Sequence, residues 1–254
     1  MLDVACVCVG DKYTPELHVK QLYTALHKHL QQPFQFNVIT DCPDHSFYKT
    51  IDCRIIPTPD LAIQVFKPWW YKPYLFSKIF KEQVLYFDLD VIIVNDIQNF
   101  TNYSDKFCIC QDFNRRWIPN YHVSNSSIMQ WYAPNYYELW DIFSAQTSDI
   151  VKKYLGDQDY ITNYFKDRTD LIWWPHNWAM SFKWEIFRGG LLQAGTGLTK
   201  DGKWPAEPDL YAYPEQPWII PEDCSVVVFH GQPDPWVTEF GKQHLAPDVQ
   251  QLCA

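Results

Sequence analysis

Val84-Leu85-Tyr86-Phe87-Asp88-Leu89-Asp90 is the stretch on which the fold turns. Four consecutive apolar residues, Val84 to Phe87, predict a short buried strand. Two carboxylates follow it directly. Residues two apart in extended chain point the same way, so Asp88 and Asp90 can converge on one point at the strand's carboxyl end. Open α/β sheets keep their ligands at that end. Adjacent carboxylates repel unless a cation neutralises them, and a hard divalent ion with oxygen ligands is their natural partner. The same Asp-x-Asp also reads as a solvated turn or a pair of loop caps.

Upstream, Asp3 to Val9 is a mostly apolar run that predicts a buried strand, stopped by the turn Gly10-Asp11-Lys12-Tyr13. Thr14-Pro15 then opens a helix as cap and first-turn proline, and Val19, Leu22, Tyr23, Leu26 and Leu30 recur at helical spacing. Phe36 to Thr40 is a second strand. Strand, helix, strand is the opening of an α/β sheet, though no G-x-G-x-x-G marks a classical dinucleotide site. Lys67-Pro68-Trp69-Trp70-Tyr71-Lys72 leads into a helix expected to run to about Lys81. Val91 to Val94, Phe107 to Cys110, Ser127 to Trp131 and Val226 to Phe229 predict strands. Pro134 to Phe143, Ser148 to Leu155 and Asp157 to Phe165 predict helices. No repeat or linker divides residues 1–254, so a single domain is expected.

Composition narrows the function. Twenty-one basic against 30 acidic residues leave a formal charge of -9, which argues against a nucleic-acid or anionic-membrane binder. No apolar run reaches the roughly 18 residues of a transmembrane helix, and the N-terminus lacks the basic start and cleavage site of a secretory signal. The expected location is cytoplasmic. The 8 cysteines then read as reduced core thiols, with Cys6/Cys8 and Cys108/Cys110 each on one face of a strand. The 12 Trp, 16 Tyr and 16 Phe are the odd feature. Sugar sites stack hexose faces on such rings, but most aromatics are core.

His230 stands at the end of the Val226–Phe229 strand and is followed by Gly231. Alone it reads as a structural histidine; with Asp88 and Asp90 it would complete an O,O,N set suited to manganese.

These residues resemble the nucleotide-sugar-dependent glycosyltransferases of the GT-A fold. The likeness is to the retaining group that includes bacterial lipopolysaccharide galactosyltransferases and glycogenin, and to related uncharacterised bacterial or viral glycosyltransferases. It covers Val4 to Trp236 and rests on several pieces in order. They are the first strand with Gly10-Asp11, the Asp88-Leu89-Asp90 strand, Asn125-Ser126-Ser127-Ile128-Met129, Asp157-Gln158-Asp159, and His230-Gly231 with Pro235-Trp236.

The resemblance implies an α/β fold with a mixed, mostly parallel sheet flanked by helices. It places a nucleotide-binding part at about 1–115 and an acceptor side at about 116–240. Asp88, Asp90 and His230 would hold Mn²⁺ (or Mg²⁺) on the donor's diphosphate. Val9, Gly10, Asp11 and Tyr13, with Leu89 and Gly231, would contact the nucleotide of a UDP-sugar, UDP-glucose or UDP-galactose being favoured. Asn125, Ser126, Asp157 and Gln158 would line the donor sugar, with Asp157 and Gln158 nearest the chemistry. A neutral amide is a poor nucleophile, so Gln158 would stabilise positive character at the anomeric carbon. Asp157-Gln158-Asp159 equally reads as a helix cap and acidic first turn. One departure stands out: where the family carries a lysine before Pro-Trp, this chain has Asp234, and the His-to-Trp loop is two residues shorter. Lys72 is the substitute phosphate contact, or else a snorkelling surface lysine. Trp173, Trp174, Trp178 and Trp184 fall within 12 residues; Trp174 and Trp178 are the candidates for stacking the acceptor, a glycan or other hydroxyl compound.

The expected activity is therefore hexose transfer, with retention, to an acceptor hydroxyl. Two alternatives stay open: an inverting enzyme with Asp112 or Asp159 as general base, and a non-catalytic carbohydrate-binding module.

Overall fold

Strand β1 (Leu2–Cys8) lies inside the main sheet, and its side chains divide between two apolar layers. Val4, Cys6 and Cys8 enter one layer; Ala5, Val7 and the following Val9 enter the other. A strand buried on both faces shows no polar alternation, hence its continuous apolar sequence. The computed structural model describes residues 1–61, 67–113, 122–186, 218–231 and 234–250. Most of the proline-rich stretch after Trp204 lies outside them, as do Gln232 and Pro233.

A short π-helical turn, Pro15–Val19, leads into α1 (Lys20–His29), followed by β2 (Phe34–Thr40) and β3 (Arg54–Pro57). A 3₁₀ segment, Pro68–Phe76, precedes β4 (Gln83–Phe87) and β5 (Val91–Ile93). Then come α2 (Asn99–Asn102), β6 (Phe107–Gln111), β7 (Ser124–Tyr132), α3 (Tyr137–Ala145), α4 (Thr147–Lys153) and α5 (Asp157–Tyr164). The chain continues through β8 (Leu171–Trp173), β9 (Ala179–Ser181), β10 (Val226–Val228), α6 (Glu239–His244) and α7 (Pro247–Gln250).

The main sheet has the order β3-β2-β1-β4-β7-β6-β8. β1 pairs in parallel with β2 and β4, β2 with β3, and β6 with β8, while β7 runs against both β4 and β6. The sheet is thus mixed and mostly parallel. A second, smaller sheet has the order β5-β10-β9, with β10 antiparallel to β5 and parallel to β9. Leu22, Ala25 and Leu26 of α1 cover one face of the main sheet; Trp70, Phe76, Leu139, Phe143 and Ile161 cover the other. Phe240 and Leu245 pack with Ile92, Val227 and Phe229 of the smaller sheet.

Three expectations are corrected. The helix expected to run to about Lys81 is a 3₁₀ segment, Pro68–Phe76, because Pro73 inside it can donate no backbone hydrogen bond. Thr14 precedes helical chain but makes no side-chain cap; Pro15 fills the first-turn position as expected. β7 begins at Ser124 rather than Ser127, which brings Asn125 and Ser126 into the strand. Cys6, Cys8, Cys108 and Cys110 are buried thiols outside any disulfide and share one apolar layer, as the spacing predicts. Among the described residues no helix is long and apolar enough to cross a membrane.

The small sheet depends on a tight contact at its edge. Thr238 Oγ1 accepts from the Gly241 N–H at 2.9 Å and donates to the Pro235 carbonyl at 2.9 Å. A Cβ added to Gly241 would lie 1.8 Å from the Pro235 oxygen, so only glycine lets α6 dock here. Gly241→Ala must push α6 off this turn, and chemical denaturation should show a loss of about 1–3 kcal/mol. Lys242→Ala, on the exposed side of the same helix, should stay within about 0.5 kcal/mol of the parent.

Candidate active site

The carboxyl ends of β1 and β4 and the start of the antiparallel β7 lie at one edge of the main sheet. The Asp88 N–H donates to the Ser127 carbonyl at 2.8 Å, so β7 enters where β4 leaves. Into this junction the 3₁₀ segment delivers Lys72, only 8% exposed. Its ammonium lies 2.8 and 3.0 Å from the two oxygens of Asp88, 2.9 Å from Ser126 Oγ and 3.6 Å from Asp157. Ser126 Oγ donates to Asp157 at 2.6 Å, and Tyr86 Oη donates to Asp88 at 2.5 Å. Burial lowers the Lys72 pKa, but Asp157 and Asp88 outweigh it and hold the ammonium above its usual range. Asp157 is pushed up by burial, an effect Lys72 and Ser126 partly offset. Lys72 is therefore not a snorkelling surface residue: its hydrogen-bonding capacity is met inside the protein, which leaves it poorly placed for the phosphate role expected of it.

Asp90, 7% exposed, faces another set of partners. It accepts from Tyr13 Oη at 2.8 Å and from Lys12 Nζ at 3.1 Å. Burial, then the charge of Asp88, raises its pKa. The Lys12 ammonium also lies 3.4 Å from Asp234. His18 stacks edge-on with both Tyr13 and Trp236, at 5.1 and 4.2 Å between ring centres. The N-terminal turn and the C-terminal loop are thereby clasped together.

His230 is brought to Asp90 by pairing between β5 and β10: the Phe229 N–H donates to the Asp90 carbonyl at 3.1 Å. Its ring stacks on Phe113, and Nε2 lies 2.7 Å from Ser181 Oγ. Burial, aided by Lys183, lowers its pKa to about 3, so at neutral pH the imidazole is uncharged and keeps a lone pair. Gly231 follows with φ +76°, a conformation that favours glycine at this turn.

Two carboxylates and a neutral imidazole have the right chemistry for a divalent ion. Among the described residues, however, no three His, Cys, Asp or Glu side chains stand together as a ready metal site. Asp88 is turned to Lys72 and Tyr86, Asp90 to Lys12 and Tyr13, and His230 to Ser181. Fit is best at Asp90 and His230, because the residue before His230, Phe229, is bonded through its N–H to the Asp90 carbonyl. Asp88 would have to share its charge between Lys72 and the ion.

The first turn also shapes a binding surface. Gly10 has φ +73°, and its N–H donates to Asp41 at 3.0 Å, tying the ends of β1 and β2. A cavity of about 250 Å³ opens there, lined by Cys8, Gly10, Asp11, Tyr13, Thr40 and Asp41 among others. Asp11 is exposed at its rim, whereas Val9 and Leu89 have buried side chains and offer a ligand only backbone. Asn125 is buried, with Oδ1 accepting from the Ser127 N–H at 3.0 Å. Gln158 is half-buried in the first turn of α5, behind a Gly156 cap and beside Asp157 and Asp159, the acidic first turn expected.

The tryptophan expectations are corrected. Trp174 is 4% exposed, packs on Phe100, and donates from Nε1 to the Ile128 carbonyl at 3.2 Å; it is core. Trp178 precedes β9 and its carbonyl accepts from Ser225 and Val226, at the start of β10. Since β9 and β10 are parallel, Trp178 sits at the opposite end of the small sheet from His230. Asp112 is buried after β6 at the same edge as Asp88. Lys12, Tyr86, Asp41 and Ser181 join the site without having been singled out by the sequence; only Lys12 carried a signal, inside the Gly10–Tyr13 turn.

No family model matches the chain, and neither does any curated protein sequence. Solved structures do. The galactosyltransferase LgtC, in complex with donor and acceptor sugar analogues, superposes with a TM-score of 0.59 at 13% identity, over 99% of this chain and 95% of LgtC. The glycosyltransferase GlyE of Streptococcus pneumoniae TIGR4 gives 0.63 at 11% identity, over 100% of this chain and 63% of GlyE. The bifunctional glycosyltransferase WbbM gives 0.58 at 10% identity, over 99% of this chain and 51% of WbbM. This chain has their fold, the GT-A fold.

Breaking the Lys72 cluster should expose its electrostatics. Lys72→Met strands Asp88 and Asp157, and denaturation at pH 7 should show a loss of about 3–5 kcal/mol. The loss should shrink as pH falls. A carboxyl whose folded pKa lies above its unfolded one stabilises the fold when protonated and forfeits that stability as pH rises through the folded value. Asp157, already raised, is such a group. A loss that grew on acidification would contradict the assignment.

Proposed function

We propose that this chain is a metal-dependent glycosyltransferase. It transfers a hexose from a UDP-sugar, with UDP-glucose or UDP-galactose favoured, to an acceptor hydroxyl with retention of configuration. The observation that carries this reading is convergence: in a GT-A fold, the turn after β1, the Asp88–Asp90 turn, the start of β7, the start of α5 and the His230 loop share one edge. The LgtC complex with donor and acceptor sugar analogues supports a donor and an acceptor here.

In this reading Asp90 and His230, with Asp88, would hold Mn²⁺ or Mg²⁺, which would supply charge stabilisation to the leaving nucleoside diphosphate. The chain's own groups do the rest. The cavity beside Gly10, Asp11 and Tyr13 takes the nucleoside, with Val9, Leu89 and Gly231 contributing backbone contacts. Ser126 and Asn125 present the floor beneath the sugar. Asp157, held by Lys72 and Ser126, accepts from sugar hydroxyls, and the Gln158 amide lies over the anomeric centre, where its oxygen favours developing positive charge. Residues 1–115 supply the nucleotide side and residues 116–240 the acceptor side.

The full chain, incubated with Mn²⁺ and UDP-glucose or UDP-galactose, should release UDP. Asp90→Asn and His230→Ala should each lower turnover about 100-fold or more. Anomeric proton NMR of the product should show the donor's configuration. A chain that bound sugars but neither nucleotide nor metal would instead be a carbohydrate-binding module.

A further inference from the structure

Lys12 holds a position that neither the acidic cluster nor the buried lysine explains. Its ammonium bridges Asp90, at 3.1 Å, and Asp234, at 3.4 Å, and donates to Tyr13 Oη at 2.8 Å. These partners come from three places: the turn after β4, the C-terminal loop and its own turn. Its side chain nevertheless keeps 42% of its exposure, against 10% for Asp90 and 23% for Asp234. Lys72, by contrast, is buried and saturated. Lys12 is thus a cation at the mouth of the site, on a long stem, on a turn opened by a positive-φ glycine, and bordering the cavity wall formed by Asp11 and Tyr13.

Lys12 and Tyr13 both bond one oxygen of Asp90, Oδ2, and a divalent cation on the same carboxylate would repel the Lys12 ammonium and compete with it for that charge. The Lys12 side chain is partly open to solvent, and the residues on either side of it, Asp11 and Tyr13, line the cavity. We propose that Lys12 is a stand-in cation: it neutralises Asp90 and Asp234 in the ligand-free site, yields Asp90 to the divalent ion, and then turns its ammonium to the diphosphate of the nucleotide. The inference rests on the glycosyltransferase reading and names a binding residue within that site.

The two roles predict effects of opposite sign. Removing a competing ammonium should tighten Mn²⁺ alone, whereas losing a phosphate contact should weaken UDP in the presence of Mn²⁺. In Lys12→Met, calorimetry on the full chain should show Mn²⁺ binding about two- to fivefold tighter, the scale of a partly exposed ion pair. UDP binding at saturating Mn²⁺ should be about 10- to 100-fold weaker, the scale of a charge-assisted hydrogen bond. Lys12→Arg should keep UDP affinity close to the parent. Thermal melting of each variant checks that the fold is intact. If both ligands bind more weakly to Lys12→Met, Lys12 merely props the site and the inference falls; it falls equally if neither changes. If the parent chain binds no UDP with Mn²⁺ present, the glycosyltransferase reading itself fails, and the inference with it.

Discussion

One ammonium buried between two aspartates sets the geometry on which the site depends. Lys72 draws together the 3₁₀ segment, the end of β4, the start of β7 and the start of α5, since its partners Asp88, Ser126 and Asp157 belong to the last three. Isolated, any of these charges would be costly to bury; together they satisfy one another. The direction of Lys72 is set by its neighbours, because Trp70, Leu75 and Phe76 are committed to the apolar layer against α3 and α5. Packing on either side leaves the lysine facing the sheet edge. The same network orients Asp157 at the first turn of α5, so a residue proposed to touch the sugar is placed by a contact made well inside the protein.

The Asp88-Leu89-Asp90 turn is the joint between two sheets. Asp88 is tied by its N–H to Ser127 in the main sheet, and Asp90 by its carbonyl to Phe229 next to the small one. Leu89 between them is 2% exposed, and its burial pins the turn. One carboxylate is consequently governed by Lys72 and the other by Lys12. Two residues apart, they answer to different halves of the fold. The small sheet carries His230 to the joint, and the docking of α6 on Pro235 holds the loop that carries Asp234.

Much of this was legible in the sequence. Runs apolar enough to be buried on both faces marked β1, β4 and β10, and the spacing of Asp88 and Asp90 placed them beyond a strand end. The acidic first turn of α5 was equally plain. Illegible were the features that depend on distant partners. β8 and β9 are three residues each, too short for any periodicity. Nothing local in Val91–Val94 says that it leaves the main sheet. Pro73 did announce a break, and the apolar residues around it masked that signal. Lys72 and Lys12 look alike in sequence, and only tertiary pairing makes one a buried counter-charge and the other a partly exposed one. The aromatic load is mostly core, as expected of it: Trp131, Trp174 and Trp184 are buried.

The acidity of the chain now has a local meaning. Asp88, Asp90, Asp157 and Asp234 crowd one edge of the sheet with Lys72 and Lys12 as their paired cations. Asp90 and Asp157 are both raised by burial, so holding them ionised at neutral pH costs stability, and further positive charge would relieve that cost. Two like charges about 4 Å apart repel by roughly 4 kcal/mol near a protein surface. A bare diphosphate entering here would meet that penalty several times over. A divalent ion on Asp90 would cancel the excess that these four carboxylates keep over their two lysines, changing the local charge by two where an ammonium changes it by one. In the proposed function, the excess of carboxylate that repels a polyanion is what would make room for a cation, and the cation is what would admit the diphosphate. On this argument the site should discriminate strongly between free and metal-complexed nucleotide, and the discrimination originates in the acidic edge itself.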